Sequence, residues 1–235
     1  INTMTPFPIL SHAQLVEKIR NFDAVAYCKT RNYLTGWVSQ LSPYITHGVI
    51  TIGEIVNISR EKYTINEAEM RYKELLRREY FTQVHYRKWD HIFSDMEEDK
   101  TTIVKQEILP TEVQTKTFSS ERVNQTIQQL ETTWYLHNHQ RMRLASYLTH
   151  RQKLHWKKCA DWTYYHFLDG ELWPNHLSRQ RVQSTFSHKP YFMNEENLTR
   201  YWKIKDPIYQ WSYEIIEHKI FDHKRGTDVR NSNDI

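Results

Sequence analysis

The sequence predicts a mostly α-helical protein with a single domain. Apolar residues recur at helical spacing in several segments, and capping residues precede many of these segments. No run of strands with alternating apolar and polar residues is present, and no internal repeat is found. The 235 residues are enough to bury a sizeable core. We expect one domain over residues 1–235, with a charged tail that frays after about residue 221.

The first predicted helices are marked by their boundary residues. A short amphipathic pattern predicts a helix over residues 13–22. Ser42 is a good N-cap with a proline at the first helical position after it, and Gly48 supplies a left-handed stop. Thr51 and Glu54 have the spacing of a capping box, which predicts the start of the next helix.

The longest predicted helix opens at Asn66, with Glu69 three residues later, and runs to about Trp89. Residues 96–120 are polar and weakly periodic, so they predict a long loop with at most one short helix. Ser120 then caps a helix whose apolar face comprises Val123, Ile127, Leu130 and Trp134. Further helices are predicted over residues 138–150, 159–169, 176–185 and 207–219, the second of these stopped by Gly170.

Composition excludes several function classes. The net charge of +4 permits a nucleic-acid or phosphate partner without requiring one. The five glycines are scattered and form no G-x-G-x-x-G or P-loop, which excludes a Rossmann or Walker-type site. Cys28 and Cys159 are far apart and are predicted to be free thiols. With no membrane-length apolar run and no signal-peptide pattern, the sequence predicts a cytoplasmic protein without a membrane partner.

Residues 134–191 combine aromatic, amide, carboxylate and guanidinium groups, a mixture typical of a pocket for a flat organic ligand. The Asp-Gly-Glu triplet at 169–171 has an ordinary interpretation as turn chemistry. However, Asn175 follows it, between Trp173 and Arg179. Carboxylate, amide and guanidinium groups among aromatics suit the donors and acceptors of a heteroaromatic ring.

Two metal-site interpretations are weak. The His-Asn-His letters at 137–139 lack the separated ligands of an HNH nuclease, so coincidence is the better explanation. A zinc site from His137, His139, Cys159 and His166 lacks any standard ligand spacing. No G-x-S-x-G elbow or Cys-His nucleophile pair is present. We therefore expect no metal.

Three blocks resemble the C-terminal, helical FAD-binding half of the photolyase/cryptochrome family, over most of residues 24–202. TRNYLTGWVSQLSPYITHGVIT is similar to the block before the family's phosphate-binding helix, and KELLRREYF resembles its E-L-x-W-R-E-F-Y helix. WYLHNHQRMRLASYLT and DGELWPNHLSRQRVQSTFS resemble the W-x-H-N-R-x-R-M and D-G-D-x-x-x-N-x-x-x-W-Q-W-x-x-S-T blocks. Order and spacing both agree. The α/β antenna domain of typical members has no counterpart in this sequence.

The resemblance implies a U-shaped FAD as the cofactor. Its phosphates would contact Tyr27, Ser39, Gln40, Leu41 and Ser42, the last four through a helix start whose N–H groups suit anions. The remaining cofactor residues implied are Glu74, Arg78, Asn138, Arg141, Asp169, Glu171 and Asn175. Among these, Arg141 would pair with Asp169, and Asn175 would face flavin N5. Arg141, Asp169 and Asn175 are therefore the implied catalytic residues.

The sequence departs from the family pattern in one place. The family's W-Q-W is here Arg179-Gln180-Arg181, and the Trp of E-L-x-W-R is here Arg77. Guanidinium cannot donate an electron as indole does, so the photoreduction route is interrupted, although Trp156 matches the second Trp of that route. The three arginines predict a substrate mouth that binds DNA or another anionic ligand. Alternatively, they reach solvent or pair with carboxylates such as Glu74, Glu79 and Glu171.

The sequence is compatible with three functions. The leading hypothesis is an FAD-binding flavoprotein with a redox or light-sensing role, distinct from conventional dimer repair. A blue-light-dependent DNA photolyase of reduced size is the first alternative. A non-enzymatic, FAD-bound signalling or scaffold module is the second.

Overall fold

The computed structural model describes residues 6–101, 103–187, 191–194, 196 and 199–200. Within these residues the regular secondary structure is helical, which confirms the predicted fold class, and one isolated bridge joins Gln106 to Leu154. The α-helices are α1 (His12–Arg20), α2 (Ala24–Thr30), α3 (Ser42–Thr46), α4 (Ile52–Arg60), α5 (Glu69–Lys88), α6 (Thr111–Thr115), α7 (Glu121–Thr133), α8 (Asn138–Ser146), α9 (Trp156–His166) and α10 (Leu172–Gln183). The predicted helix over 207–219 and the tail after 221 lie outside the described residues.

Local capping chemistry sets the start of α4 as predicted. The Thr51 hydroxyl accepts from the Glu54 amide at 3.1 Å, and the Glu54 carboxylate accepts from the Thr51 amide at 2.8 Å. Gly48 has a φ of +70°, the left-handed conformation predicted for the stop after α3. Ser120 likewise caps α7 through the Val123 amide.

The cap of α3 differs from the prediction. Leu41, rather than Ser42, is the capping residue, and no side chain caps this helix. The Ser42 hydroxyl instead lies close enough to Tyr135 and Asp169 to lower the pKa of both groups.

The cap before α5 also differs. The reciprocal box is formed by Thr64 and Glu67, two residues upstream of the predicted pair, and α5 begins at Glu69. Its last turn passes into a 3₁₀ turn, Trp89–Phe93.

The main core lies among α7, α8, α9 and α10. Val123, Ile127 and Leu130 are buried in it, as their spacing predicts. Trp134 is an exception, with 58% of its surface exposed, because it ends α7 in a left-handed conformation that turns it away from the apolar face. A second core cluster packs α1 against α3 and α4 and includes the buried Leu41.

The turn after α9 is tightly packed. The helix ends at His166, and Gly170 lies in the turn that follows rather than in the last helical turn. A Cβ at Gly170 would lie 2.9 Å from the Tyr164 carbonyl oxygen, so a larger residue would force the backbone apart. This turn carries Asp169 and leads directly into α10.

Helix α10 holds an irregular segment through one buried side chain. The Gln180 amide nitrogen donates to the Ile92 and Ser94 carbonyls at 3.0 Å and 2.9 Å. Its carbonyl oxygen accepts from the Met96 amide at 3.0 Å. Because Gln180 is fully buried, these bonds fix the segment after α5 against α10.

Of the helices in the described residues, none is both long and apolar enough to cross a bilayer.

Candidate cofactor site

The Arg141–Asp169 pair links α8 to the turn before α10. An Arg141 Nη1 atom lies 2.9 Å from Asp169 Oδ1, and Arg141 Nε donates to the Leu136 carbonyl at 2.8 Å. Burial opposes ionisation of Asp169, but Arg141 and the Ser42 hydroxyl outweigh it and hold the pKa of this carboxyl below its usual value. Asp169 is therefore a charged, buried partner that fixes Arg141.

Ser42 brings α3 to this pair. Its hydroxyl favours the charged forms of both Asp169 and Tyr135, although burial has the larger effect on Tyr135 and raises the pKa of its phenol. The Arg141 guanidinium stands 5.1 Å from the centre of the Tyr135 ring. The start of α3, where no side chain caps the helix, thus lies beside the Arg141–Asp169 pair.

The segment before α3 presents mainly backbone. Gln40 has a φ of +55°, a left-handed conformation that is uncommon outside glycine, and Ser39 and Gln40 are partly exposed. Leu41 is buried in the α1–α4 cluster, so its side chain is unavailable to a ligand. Only the Leu41 backbone can serve the predicted phosphate contact.

Tyr27 and Glu74 are joined directly. The Tyr27 hydroxyl hydrogen-bonds the Glu74 carboxylate, which also forms an ion pair with Arg31. Burial raises the pKa of Glu74 to about 7, with the Arg77 guanidinium acting in the opposite direction. The predicted contacts Tyr27 and Glu74 therefore form one cluster between α2 and α5.

Arg78 and Glu171 connect α5 to the start of α10. They form an ion pair, and Thr46 on α3 bonds both of them, with its Oγ1 3.1 Å from Glu171 Oε1. This cluster fixes three helices around the residues implied for the cofactor.

The two predicted amides differ in their surroundings. Asn138 is exposed at the first position of α8. Asn175 is buried, where its Nδ2 donates to the Ala160 carbonyl at 2.7 Å and its Oδ1 accepts from the Thr163 hydroxyl at 3.2 Å. The Asn175 carboxamide is thus held against α9, with one N–H left for a ligand.

The three predicted mouth arginines fall into two groups. Arg77 is exposed on α5, and burial together with Arg77 lowers the pKa of the Arg181 guanidinium. Arg179 is only 2% exposed and contacts Thr163 on α9. Among the residues that the structure describes, none of the three forms an ion pair. Glu74 and Glu171 pair with Arg31 and Arg78 instead.

Trp156 is fully buried at the start of α9. Its indole Nε1 donates to Asp95 Oδ1 at 2.5 Å, and its ring meets His176 edge to face at 6.0 Å. Its backbone amide donates to the Gln183 side chain at 2.8 Å. The indole is therefore rigidly placed against α10.

The four residues of the discounted zinc set have local partners. His137 caps α8, where its Nδ1 accepts from the His139 amide at 3.1 Å, and His139 Nδ1 lies 2.8 Å from the Asn32 carbonyl. Cys159 is buried beside Arg179, and His166 Nδ1 bonds the Trp162 carbonyl at 2.8 Å. No group of three or more potential metal ligands occurs among the described residues.

Sequence reasoning did not identify three residues of this site. Arg31 could have been found, since it lies one helical turn after Tyr27. Thr46 and Tyr135 had no such signal, because their partners Glu171 and Ser42 are distant in sequence.

The described residues thus form a helical fold in which two ion pairs, Arg141–Asp169 and Arg78–Glu171, lie close to α3. The family model described as the FAD binding domain of DNA photolyase matches residues 70–213, more than half of the chain. The chain therefore belongs to this family, as the sequence blocks predict. No curated protein matches the sequence.

Solved structures support the same fold. A Synechocystis sp. PCC6803 cryptochrome aligns with a TM-score of 0.69 at 16% identity, over 89% of this chain and 50% of its own. A class III photolyase from Agrobacterium tumefaciens aligns with a TM-score of 0.65 at 16% identity, over 95% of this chain and 51% of its own. An archaeal photolyase from Sulfolobus tokodaii, solved with two FAD molecules, aligns with a TM-score of 0.63 at 18% identity, over 83% of this chain and 45% of its own. The chain spans about half the length of these proteins.

FAD is the cofactor of this domain, and the donor groups present suit it. Asn138 offers an exposed amide, and the first amides of α3 have no side-chain cap. Trp173 stacks on His85 at 4.5 Å, and its buried Nε1 has no hydrogen-bond partner among the described residues. Buried, unused donors beside aromatic rings are what a ring with several acceptors requires.

Proposed function

We propose that this chain is an FAD-dependent flavoprotein with a redox or light-sensing role, and that it does not repair pyrimidine dimers by the conventional route. The observation that carries the proposal is the presence of a buried arginine at position 179. By the resemblance of its block to the family's W-Q-W, it stands where the family has its electron-donating Trp, and it is buried on the same helix as Asn175. A family cofactor site that has a guanidinium at this position keeps the flavin but loses the usual donor.

The proposed binding residues act by position and charge. Bound FAD supplies electron transfer and blue-light absorption. Ser42 and the backbone of residues 39–42 would hold its phosphates. The flavin ring would be oriented by Asn138, Asn175 and the Arg141–Asp169 pair. Of these, Arg141, Asp169 and Asn175 are the proposed catalytic residues.

Photoreduction tests the electron route directly. FAD-loaded protein would be illuminated with blue light in the presence of an external thiol, and the loss of the long-wavelength flavin absorption followed. We expect slow reduction in the wild type and faster reduction in Arg179→Trp, because the added indole completes a path to Trp156. Arg122→Trp, which adds an indole at an exposed position on α7, is the matched control. Rapid photoreduction of the wild type would contradict the proposal.

We further propose that Arg77 and Arg181 form the mouth of the site and favour an anionic partner. The supporting observation is that Arg77 is exposed on α5, Arg181 is half-buried on α10, and neither forms an ion pair with a residue that the structure describes. With a single-stranded oligonucleotide as the polyanion probe, Arg77→Gln and Arg181→Gln should each reduce the salt dependence of log affinity by about 1. Arg122→Gln should leave it unchanged. No binding by the wild type would exclude DNA as that partner.

A DNA photolyase of reduced size is the second candidate, favoured by the family match. Its test is repair of a dimer-containing oligonucleotide under blue light with chemically reduced flavin, which bypasses the interrupted route. Repair in that assay would replace our proposal. A signalling module instead predicts no turnover with any donor but light-dependent association of the loaded protein.

A further inference from the structure

Arg179 is a buried cation that contacts a neutral hydroxyl and forms no ion pair with any residue that the structure describes. Its Nη2 lies 3.4 Å from the Thr163 hydroxyl, and the buried Cys159 thiol lies beside it. Its Nε is buried and makes no hydrogen bond to any residue that the structure describes. Within the same part of the chain, no carboxylate lies within ion-pair distance of this guanidinium. Arg179 is therefore a guanidinium with an unused donor and no counter-charge.

Arg179 shares its surroundings with the proposed flavin residues. The Thr163 hydroxyl that it contacts also bonds Asn175 Oδ1 at 3.2 Å, so the two α10 side chains meet at one atom. Phe167 provides a second link, because its ring centre lies 4.2 Å from the Arg141 guanidinium and 5.9 Å from that of Arg179. The cation thus lies beside Asn175 and the Arg141–Asp169 pair.

The charges in this cluster do not balance. Arg141 and Asp169 neutralise each other at 2.9 Å, so Arg179 leaves one excess positive charge. Burial lowers the pKa of Arg179, and the Arg141 charge acts in the same direction, against the opposite effect of the Cys159 thiol. An isolated buried cation is costly unless an anion or several acceptors accompany it.

We propose that Arg179 is a positioning residue that supplies the counter-charge for the anionic, fully reduced form of the bound flavin, and so raises its reduction potential. This inference rests on the proposed function. Oxidised flavin takes up two electrons from an external reductant and one proton from solvent, and the product carries one additional negative charge. That charge matches the single positive charge that the cluster has in excess.

The reduction potential of the FAD-loaded protein tests the proposal. In a dithionite titration with a redox dye, Arg179→Gln should lower the equilibrium constant for two-electron reduction about a hundredfold, or about 60 mV. Arg179→Lys keeps the charge and should stay near the wild-type potential. Arg122→Gln, the same chemical change at an exposed position, should also match the wild type. Equal potentials in Arg179→Gln and the wild type would overturn the inference.

A measurement on the wild type alone keeps the proposal testable if the variants do not fold. The wild-type potential should lie above that of free FAD in the same buffer, because reduced FAD then binds more tightly than oxidised FAD. A wild-type potential at or below that of free FAD overturns the inference and leaves the proposed function standing. Failure of the wild type to take up FAD would overturn both.

Discussion

Arg141 and Arg179 face the same aromatic ring but differ in their electrostatic surroundings. Arg141 has the Asp169 carboxylate at 2.9 Å and the Leu136 carbonyl at 2.8 Å. Arg179 has a hydroxyl and a thiol, and it is the more deeply buried of the two. One cation is compensated by a carboxylate of the protein, whereas we propose that the other is compensated by the reduced flavin. A cofactor site can therefore contain both a structural charge and a charge that only the ligand completes.

The largest expected effect comes from making Arg141 resemble Arg179. Asp169→Asn removes the carboxylate and leaves a half-buried guanidinium without a counter-charge, which should lower the free energy of unfolding by about 3–5 kcal/mol. Urea denaturation of the cofactor-free protein measures this loss. Asp90→Asn, an exposed control, should change stability by no more than about 0.5 kcal/mol. Equal losses in the two variants would mean that the pair contributes nothing.

Acid titration tests the same pair without removing an atom. The pKa of Asp169 is depressed in the folded state, so its contribution is fully present above the unfolded pKa of about 4. It is lost as pH falls through the lower folded value. The stability difference between wild type and Asp169→Asn should therefore shrink below about pH 4. Denaturation curves at a series of pH values measure it, and a constant difference would contradict the assigned charge.

Removal of the uncompensated cation should have the opposite sign. Arg179→Met replaces a buried charge with an apolar side chain of similar length, and we expect the cofactor-free protein to become more stable by about 1–2 kcal/mol. Arg141→Met, the matched change at the compensated site, should instead destabilise it, because Asp169 then lacks its cation. Thermal and urea denaturation of both variants measure the difference. Destabilisation by both would show that Arg179 is already compensated.

The smallest expected effect concerns the shared ring. Double-mutant cycles that combine Phe167→Leu with Arg141→Met or Arg179→Met measure each cation–π coupling. At 4.2 Å the Arg141 coupling should be about 0.5–1 kcal/mol, and at 5.9 Å the Arg179 coupling should be smaller. A larger coupling for Arg179 would reverse the comparison.

Features decided by neighbouring residues were predictable from the sequence. The Thr51–Glu54 box forms within four residues, and the burial of Val123, Ile127 and Leu130 follows from helical spacing. Ser42 was not predictable in the same way. Its neighbours Tyr135 and Asp169 are distant in sequence, and Leu41 is the N-cap of α3, so a rule based on local chemistry gave the wrong residue.

The site shows the same division. The Arg141–Asp169 pair is present in the structure. It could be predicted because the resemblance to the family specified both residues. The grouping of Arg77, Arg179 and Arg181 in one mouth stays a prediction, and the burial of Arg179 against Thr163 of α9 could not be read from the spacing of the arginines. The resemblance predicted that Asn175 faces flavin N5. Its hydrogen bonds to Ala160 and Thr163 could be identified only from the structure.

Gln180 has a consequence for hydrogen exchange. The Met96 amide lies in an irregular segment, where exchange with solvent deuterium is ordinarily fast, yet it donates to a fully buried side chain on α10. Its exchange therefore requires that α10 separate from the segment after α5. The Met96 amide is a single-residue probe of α10 opening, and its protection factor with and without FAD reports whether the cofactor closes this helix onto the domain.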